Sequence, residues 1–401
     1  MTACGWGMRC GLAALLIATI LSCRTTSKIV PPSTQNISEE DKVHLLLGWD
    51  GPAVVVSLSL QEERVVFRAS KDIANHAAGM WISPNGKWVA YMRRVDLPLL
   101  ELPKAYRLFV RNVDTGEDIP LPTPPVPDPW FARYGFCLGY ASLFSADSKS
   151  MLLTVGEDPT GEKMTVGIFD LEKRKLTSPQ VEGNAFAPAF AAGGKEVYFS
   201  LTPKGGNWKD TELCLWTLAD GTVQKVGVKG VVAQPRPSGF NVPFEDYTDG
   251  FTMCCVRDGF HRLQELPLNK DDETPSFFWS KHNSFFVYSG TNGRDRTWTR
   301  IWSSEYHEIV RVLPDLLPLG PSSVDNCVFL TKMSGESTAH PYNAGGSFIL
   351  HNALTEKEVT FGKGLQAIRA DGDWAVYEED GNICIARIAI TTADMGKWEE
   401  P

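Results

Sequence analysis

The sequence has no apolar run long enough to cross a bilayer. Its longest, Gly11 to Leu21, would rise only about 16 Å as a helix, against a hydrocarbon core of about 30 Å. There is no surplus of positive charge: 39 Lys and Arg face 48 Asp and Glu, a net charge of −9. That excludes a general nucleic-acid scaffold, which needs a basic surface. There is no HExxH, no EF-hand loop and no P-loop, and no CxxC or Cys/His spacing for zinc. The seven His residues (44, 76, 261, 282, 307, 340 and 351) fall on separate segments, so no cofactor or metal is expected. Beyond the leader no stretch carries a helical period. What is abundant is turn chemistry, with 35 Gly and 26 Pro, alongside 43% hydrophobic residues. That is enough apolar surface to offset the entropy of ordering, which excludes a disordered chain.

The run from Gly11 to Leu21 follows a single charge, Arg9, and ends at Ile20-Leu21-Ser22-Cys23 before Arg24-Thr25-Thr26-Ser27. Its length fits the core of an export signal. The four residues ending in Cys23 loosely resemble a bacterial lipobox. The resemblance implies lipidation of Cys23 as the mature N-terminus. It also implies a lipid anchor in the bacterial cell envelope, at the outer membrane because Arg24 stands where an Asp would favour inner-membrane retention. The alternatives are an ordinary cleaved signal, with a periplasmic or secreted product, and an uncleaved anchor. Loss of Arg9 leaves the mature chain at −10. The expected organisation is a signal peptide over 1–22 and a lipidated Cys with a flexible tether over 23–40. A β-propeller over 41–392 and a tail over 393–401 follow. Cys214, Cys255, Cys327 and Cys384 lie in apolar strand-like runs far apart in sequence, so buried free thiols are expected, with one disulfide as the alternative.

A repeat runs through the rest. Its clearest copy is Met80 to Met92, with Trp81, Ser83-Pro84-Asn85-Gly86-Lys87 and Val89-Ala90-Tyr91, followed by Tyr106 to Glu117. This reads as strand, tight turn, strand, loop, strand, turn, because Pro presets φ and Gly accepts φ > 0. Weaker copies give second strands starting near 88, 151, 197, 251, 285, 327 and 374, with gaps of 63, 46, 54, 34, 42 and 47. A period near 45 residues with four short strands per unit is a β-propeller signature. Seven units, joined by Val54 to Leu58 and Val65 to Phe67 from the N-terminal side, predict an all-β fold. It has seven blades closed by both chain ends, or eight. Apolar runs rather than strict alternation fit sheets buried on both faces.

The first copy resembles the WD-like repeat of TolB-type propellers, which also occurs in the propeller domains of prolyl-oligopeptidase-type peptidases. Phe190 with Gly194-Lys195 and Trp279-Ser280 echo it. The resemblance implies the fold and leaves function open, since such propellers serve many roles.

Loop length points to a face. In an up-down blade the a–b and c–d turns share one side, and the b–c and d–a connections share the other. The a–b and c–d turns read as short. The long segments are Arg93 to Ala105, Thr202 to Thr211, Gly290 to Thr299, Lys332 to Gly346 and Pro120 to Tyr134. Binding faces of repeat proteins are where insertions accumulate. This face offers Trp130, Arg133, Asn207, Trp208, Arg294, Arg296, Trp298, His340 and Tyr342 as candidate partner contacts. Pro120 to Pro129 reads as a stiff connector or a docking rod. Gly335-Glu336-Ser337-Thr338-Ala339 matches a nucleophile elbow only loosely, because no helix can follow it. Two functions remain. One is a non-enzymatic, lipid-anchored platform for an envelope protein or surface ligand. The other is a hydrolase or lyase with its site at the central channel.

Overall fold

The computed structural model describes residues 53–68, 80–95, 105–123, 143–156, 163–191, 194–229, 231–232, 241–246, 250–255, 261–267, 277–280, 285–291, 297–303, 306, 308–324, 327–332, 346–353, 356 and 358–394. The leader, Cys23 and the tether lie outside the described residues, as do the Pro124–Pro129 part of the proline-rich segment and the loose elbow at 335–339.

The first strand is β1 (Ala53–Arg68). Sheet one holds β2 (Met80–Ile82), β3 (Trp88–Val95), β4 (Ala105–Asn112) and β5 (Asp118–Pro120). Sheet two holds β6 (Ser150–Gly156), β7 (Met164–Asp170) and β8 (Lys175–Thr177), with Phe144 bridged to Met151 inside it. Sheet three holds β9 (Gly183–Phe190), β10 (Glu196–Pro203), β11 (Glu212–Thr217) and β12 (Val223–Lys229). Sheet four holds β13 (Val231–Val232), β14 (Asn241–Asp246), β15 (Gly250–Cys255) and β16 (His261–Pro267). Sheet five holds β17 (Phe277–Trp279), β18 (Phe285–Thr291), β19 (Thr297–Ser303) and β20 (Glu308–Pro314). Sheet six has seven strands: β21 (Leu316–Pro321), β22 (Cys327–Lys332), β23 (Gly346–Asn352), β24 (Glu358–Asp371), β25 (Trp374–Glu379), β26 (Asn382–Asp394) and, at its edge, β1.

Among the described residues the fold is an all-β propeller of six hydrogen-bonded sheets, which corrects the expectation of seven or eight blades. The physical reason is β24. Its first part pairs with β23 from Glu358 to Leu365, and its second part pairs with β25 from Gln366 to Asp371. One continuous strand thus joins two repeat registers. The joined sheet folds back on itself, so Phe329 and Phe348 on one half pack with Ala375, Tyr377 and Cys384 on the other. A second correction concerns sheet four. Residues 250–255 form its third strand, and 241–246 form its second. The second strands β3, β6, β10, β14, β18, β22 and β25 then start at 88, 150, 196, 241, 285, 327 and 374. Their spacing after the first step is nearly even, at 46, 45, 44, 42 and 47.

The turns repeat in atomic detail. Ser83 N–H donates to the Trp88 carbonyl (2.9 Å), and Trp88 N–H donates to Ser83 Oγ (2.9 Å). Ser83 Oγ and Lys87 N–H both donate to Asn85 Oδ1 (2.8 and 3.0 Å). The next copy uses Ser145, Asp147, Lys149 and Ser150 in the same four roles. Ser280 and Phe285 repeat the outer pair. A short polar side chain two residues after the serine therefore substitutes for backbone partners in the turn. In sheets one, two and three the c–d turn is tied back to the a–b turn: Val113, Leu171 and Leu218 N–H donate to the carbonyls of Lys87, Lys149 and Lys195.

Burial on both faces accounts for the continuous apolar runs. Along β3, Trp88, Ala90 and Met92 join one cluster, while Val89 and Tyr91 join the cluster shared with Val66, Trp374, Val376 and Ile385. Along β22, Val328 and Leu330 face sheet five, and Phe329 faces the folded-back half of sheet six. Leu152 and Val166 of sheet two meet Val197, Phe199 and Trp216 of sheet three.

The ring closes where β1 pairs antiparallel with β26, from Ala53↔Asp394 to Arg68↔Asn382. Phe67 then lies against Tyr91 of sheet one (centroids 4.8 Å apart). Gly86, at φ 70°, leaves room for the Trp374 indole, into which a Cβ there would run. Trp88 is 7% exposed, so Trp88→Ala should cost roughly 3–5 kcal/mol through cavity formation. Urea unfolding measures this, and an unchanged midpoint would contradict the register given for β3.

Candidate binding face

Strand directions sort the connections. The a–b and c–d turns of sheets one and two lie side by side: Asn85 N–H donates to Ser148 Oγ (3.2 Å), and Arg174 pairs with Glu117 (2.6 Å). Arg64 of β1 reaches Asp114 (2.9 Å) on the same side, and Arg311 reaches Glu356 (3.2 Å). These exposed pairs each contribute little, but they define a turn face. Segments 69–79, 96–104, 124–142, 157–163, 204–211, 268–276 and 333–345 connect strand ends on the opposite, long-loop face. The strand ends of β13 and β14 that residues 233–240 join lie on the turn face.

Loop 204–211 is described throughout its backbone. Thr202 Oγ1 and Thr211 Oγ1 lie 2.7 Å apart and close its base. A single 3₁₀ turn, Trp208–Asp210, is capped from both sides. Asn207 N–H donates to Asp210 Oδ2 (3.0 Å), and Lys209 N–H donates to Asn207 Oδ1 (2.9 Å). Asn207 and Lys209 are exposed, so this loop presents polar groups on a pre-set backbone.

Of the other expected contacts, Trp130, Arg133, Arg294, Arg296, His340 and Tyr342 lie outside the described residues, and the structure describes Trp208 by its backbone alone. Trp298 is a correction. β19 begins at Thr297, so Trp298 belongs to a strand rather than a loop. It is 8% exposed and meets Tyr288 edge-on (centroids 5.7 Å apart), with the Arg300 guanidinium 4.0 Å over its ring. It serves the core and offers a partner almost no surface.

A cluster missed from sequence runs along sheet one, from Arg111 and Asp118 beside the c–d turn to Arg93 and Arg107 nearer the long-loop end. Arg93 and Arg107 are directly opposite across β3 and β4, and Arg111 stands on the same strand face. Arg111 holds both oxygens of Asp118 (3.1 and 3.2 Å), and Arg93 reaches Asp118 Oδ2 (3.3 Å). The buried Tyr91 hydroxyl also bonds to Asp118, and burial followed by that bond pushes its pKa up. Arg107 donates to the Leu121 carbonyl at 3.4 Å. The signal was present as a period of two: Arg107, Phe109 and Arg111 share one face of a strand.

His351 is a strand residue. It is 1% exposed, with Nδ1 3.0 Å from Glu358 Oε1, its register partner on β24. Its Nε2 is buried without a hydrogen-bond partner among the described residues. Cys214, Cys327 and Cys384 are buried free thiols. Burial, with Glu212 nearby, pushes the Cys214 thiol up to about 11, so it stays protonated and unreactive at neutral pH. Among the described residues no three His, Cys, Asp or Glu side chains gather to hold a metal, and no helix is long and apolar enough to cross a membrane.

No protein-family model matches the chain, and no curated protein matches it by sequence. Solved structures do resemble it. The RRP9 WD40 repeats align at TM-score 0.52 and 10% identity, covering 83% of this chain and 100% of theirs. Oligogalacturonate lyase in complex with manganese aligns at 0.50 and 10% identity, covering 84% and 97%. The β-propeller domain of the Trilobed protease from Pyrococcus furiosus aligns at 0.48 and 10% identity, covering 84% and 98%. At such identities the likeness is one of fold: the chain has the architecture of β-propellers, WD40 repeats included.

The hydrogen bond from His351 holds the Glu358 carboxyl below the usual carboxylate range, against the opposing effect of burial. A carboxylate with a depressed folded-state pKa stabilises above its unfolded value and loses that contribution as pH falls. Glu358→Gln should therefore lower the melting temperature by about 1–2 °C at pH 7. It should have less effect at pH 4, measured by calorimetry at both values. An equal loss at both would assign the residue to packing alone.

Proposed function

We propose that this protein is a non-enzymatic, lipid-anchored platform of the bacterial cell envelope that engages an envelope protein or surface ligand through its long-loop face. One observation carries the reading. β26 pairs with β25 only as far as Arg387↔Trp374, at the turn face, and continues with β1 alone to Asp394↔Ala53. The chain therefore enters the propeller on the turn face. A tether from a lipidated Cys23 to Ala53 would hold that face toward its support and turn the long loops outward. The anchor itself rests on Leu21-Ser22-Cys23 at the end of a run too short to span. Loop 204–211 on the outward face presents the exposed Asn207 and Lys209 on a backbone fixed by its own hydrogen bonds, polar groups suited to contacting a partner.

Two variants test the platform. Cys23→Ala should leave the protein unprocessed or released from membranes, read by fractionation and by mass spectrometry of the mature N-terminus. A combined Asn207→Ala, Trp208→Ala, Arg294→Ala, Arg296→Ala variant should keep the wild-type melting temperature. It should also lose whatever wild-type protein captures from detergent-solubilised envelope. Capture that survives this variant and is abolished by changes at the Asn85 or Asp114 turns would place the binding site on the turn face.

A further inference from the structure

We propose that Arg93 and Arg107 form a binding site for a divalent oxyanion of the phosphate-monoester type at the long-loop end of sheet one. Cross-strand register makes the two residues nearest neighbours, and like charges directly opposite one another destabilise a sheet. Arg111 adds a third positive charge on that strand face. The described partners do not balance this charge. Among the described residues Asp118 is the one carboxylate paired with any of the three. Its oxygens already take two bonds from Arg111, one from Arg93 and one from Tyr91. Among the described residues Arg107 makes one long bond, to the Leu121 carbonyl, and its buried Nε has no hydrogen-bond partner. Among the described residues the cluster thus carries a surplus of two positive charges, in a chain whose net charge is −9.

The surroundings make the surplus useful. The Arg93 guanidinium lies 4.0 Å over the Phe109 ring, and that of Arg111 lies 5.6 Å from the Phe67 centroid. Apolar walls hold the forks in place and lower the local dielectric, so little order remains to be gained on binding. The side chains of Arg93, Arg111 and Asp118 are 39%, 22% and 23% exposed, which places Arg93 as the solvent-facing member. Arg93 and Arg111 converge on Asp118, and Arg107 on Leu121, in the same outer segment of sheet one. A tetrahedral dianion matches the charge surplus and accepts paired N–H bonds from two guanidiniums. The site does not depend on the lipid anchor. If the platform reading holds as well, it supplies the chemistry of the ligand.

The test is a titration of the full-length protein in detergent with inorganic phosphate, at constant ionic strength in chloride, with acetate as comparator. Calorimetry and thermal melting are the readouts. Phosphate should bind saturably and raise the melting temperature, and acetate and chloride should not. Arg107→Gln should weaken phosphate binding at least tenfold. It should leave the ligand-free melting temperature unchanged or higher, because it removes a like-charge neighbour. Arg107→Lys, which keeps the charge but loses the fork, should fall between the two. No phosphate-specific binding by wild type would overturn the proposal, as would acetate acting equally well. So would a phosphate response retained in Arg107→Gln, with a lowered ligand-free melting temperature marking the residue as structural.

Discussion

The pairing of the first strand with the last is the interaction on which the rest of this structure depends. β1 and β26 run antiparallel over nearly their full lengths, through three register irregularities that include the positive-φ residue Glu62. Without β1, the outer edge of β26 would stand open, and sheet one would lose the wall made by Val66 and Phe67. Contacts so distant in sequence carry a loop-closure cost that nearby hairpins do not. Side chains reinforce the closure: the Tyr377 hydroxyl donates to Glu63 Oε2 at 2.7 Å, and Arg64 lies near the Trp374 ring. The same pairing fixes the polarity of the molecule, because the strand that completes the ring also brings the chain in from the turn face.

Closure and polarity together organise the chemistry. The seam between β1 and sheet one is where Phe67, Tyr91 and Phe109 stack, and the arginine cluster runs beside it from Arg111 near the c–d turn to Arg93 and Arg107 toward the long loops. A charge-imbalanced cluster is tolerable there because its aliphatic stems and neighbouring rings contribute apolar burial. The edge of β1 itself carries Gln61, Glu62, Glu63 and Arg64, all exposed. Charged side chains along a long outer strand discourage pairing with a second molecule.

Where the fold was legible in sequence, local turn chemistry coincided with an apolar run. Ser83-Pro84-Asn85-Gly86 before Trp88 is such a place, and Ser145 to Ser148 before Met151 is another. The second strand of sheet four was not legible, because Asn241-Val242-Pro243-Phe244-Glu245-Asp246 mixes a proline with acids and reads as a loop. The continuity of β24 was hidden by Gly362 and Gly364, which look like punctuation but lie inside the strand. Trp298 was misplaced because it follows Arg294-Asp295-Arg296 and so reads as part of the loop. Its burial beside Tyr288 arises from tertiary packing that no local pattern encodes. Of the candidate site, the long-loop face and the loop from Thr202 to Thr211 with Asn207 could be read in advance. The arginines of sheet one were overlooked because each alone resembles a solvated strand residue, and only cross-strand register shows them to be neighbours.

Amide hydrogen exchange along β1 tests the central claim most directly. If β1 completes the ring, its ladder amides opposite β26 exchange as slowly as those of β25 and β26, and are lost with them in one cooperative opening. Fast exchange throughout residues 53–68, with β25 and β26 still protected, would contradict the closure. The polarity that sets the long loops away from the point of entry would fall with it.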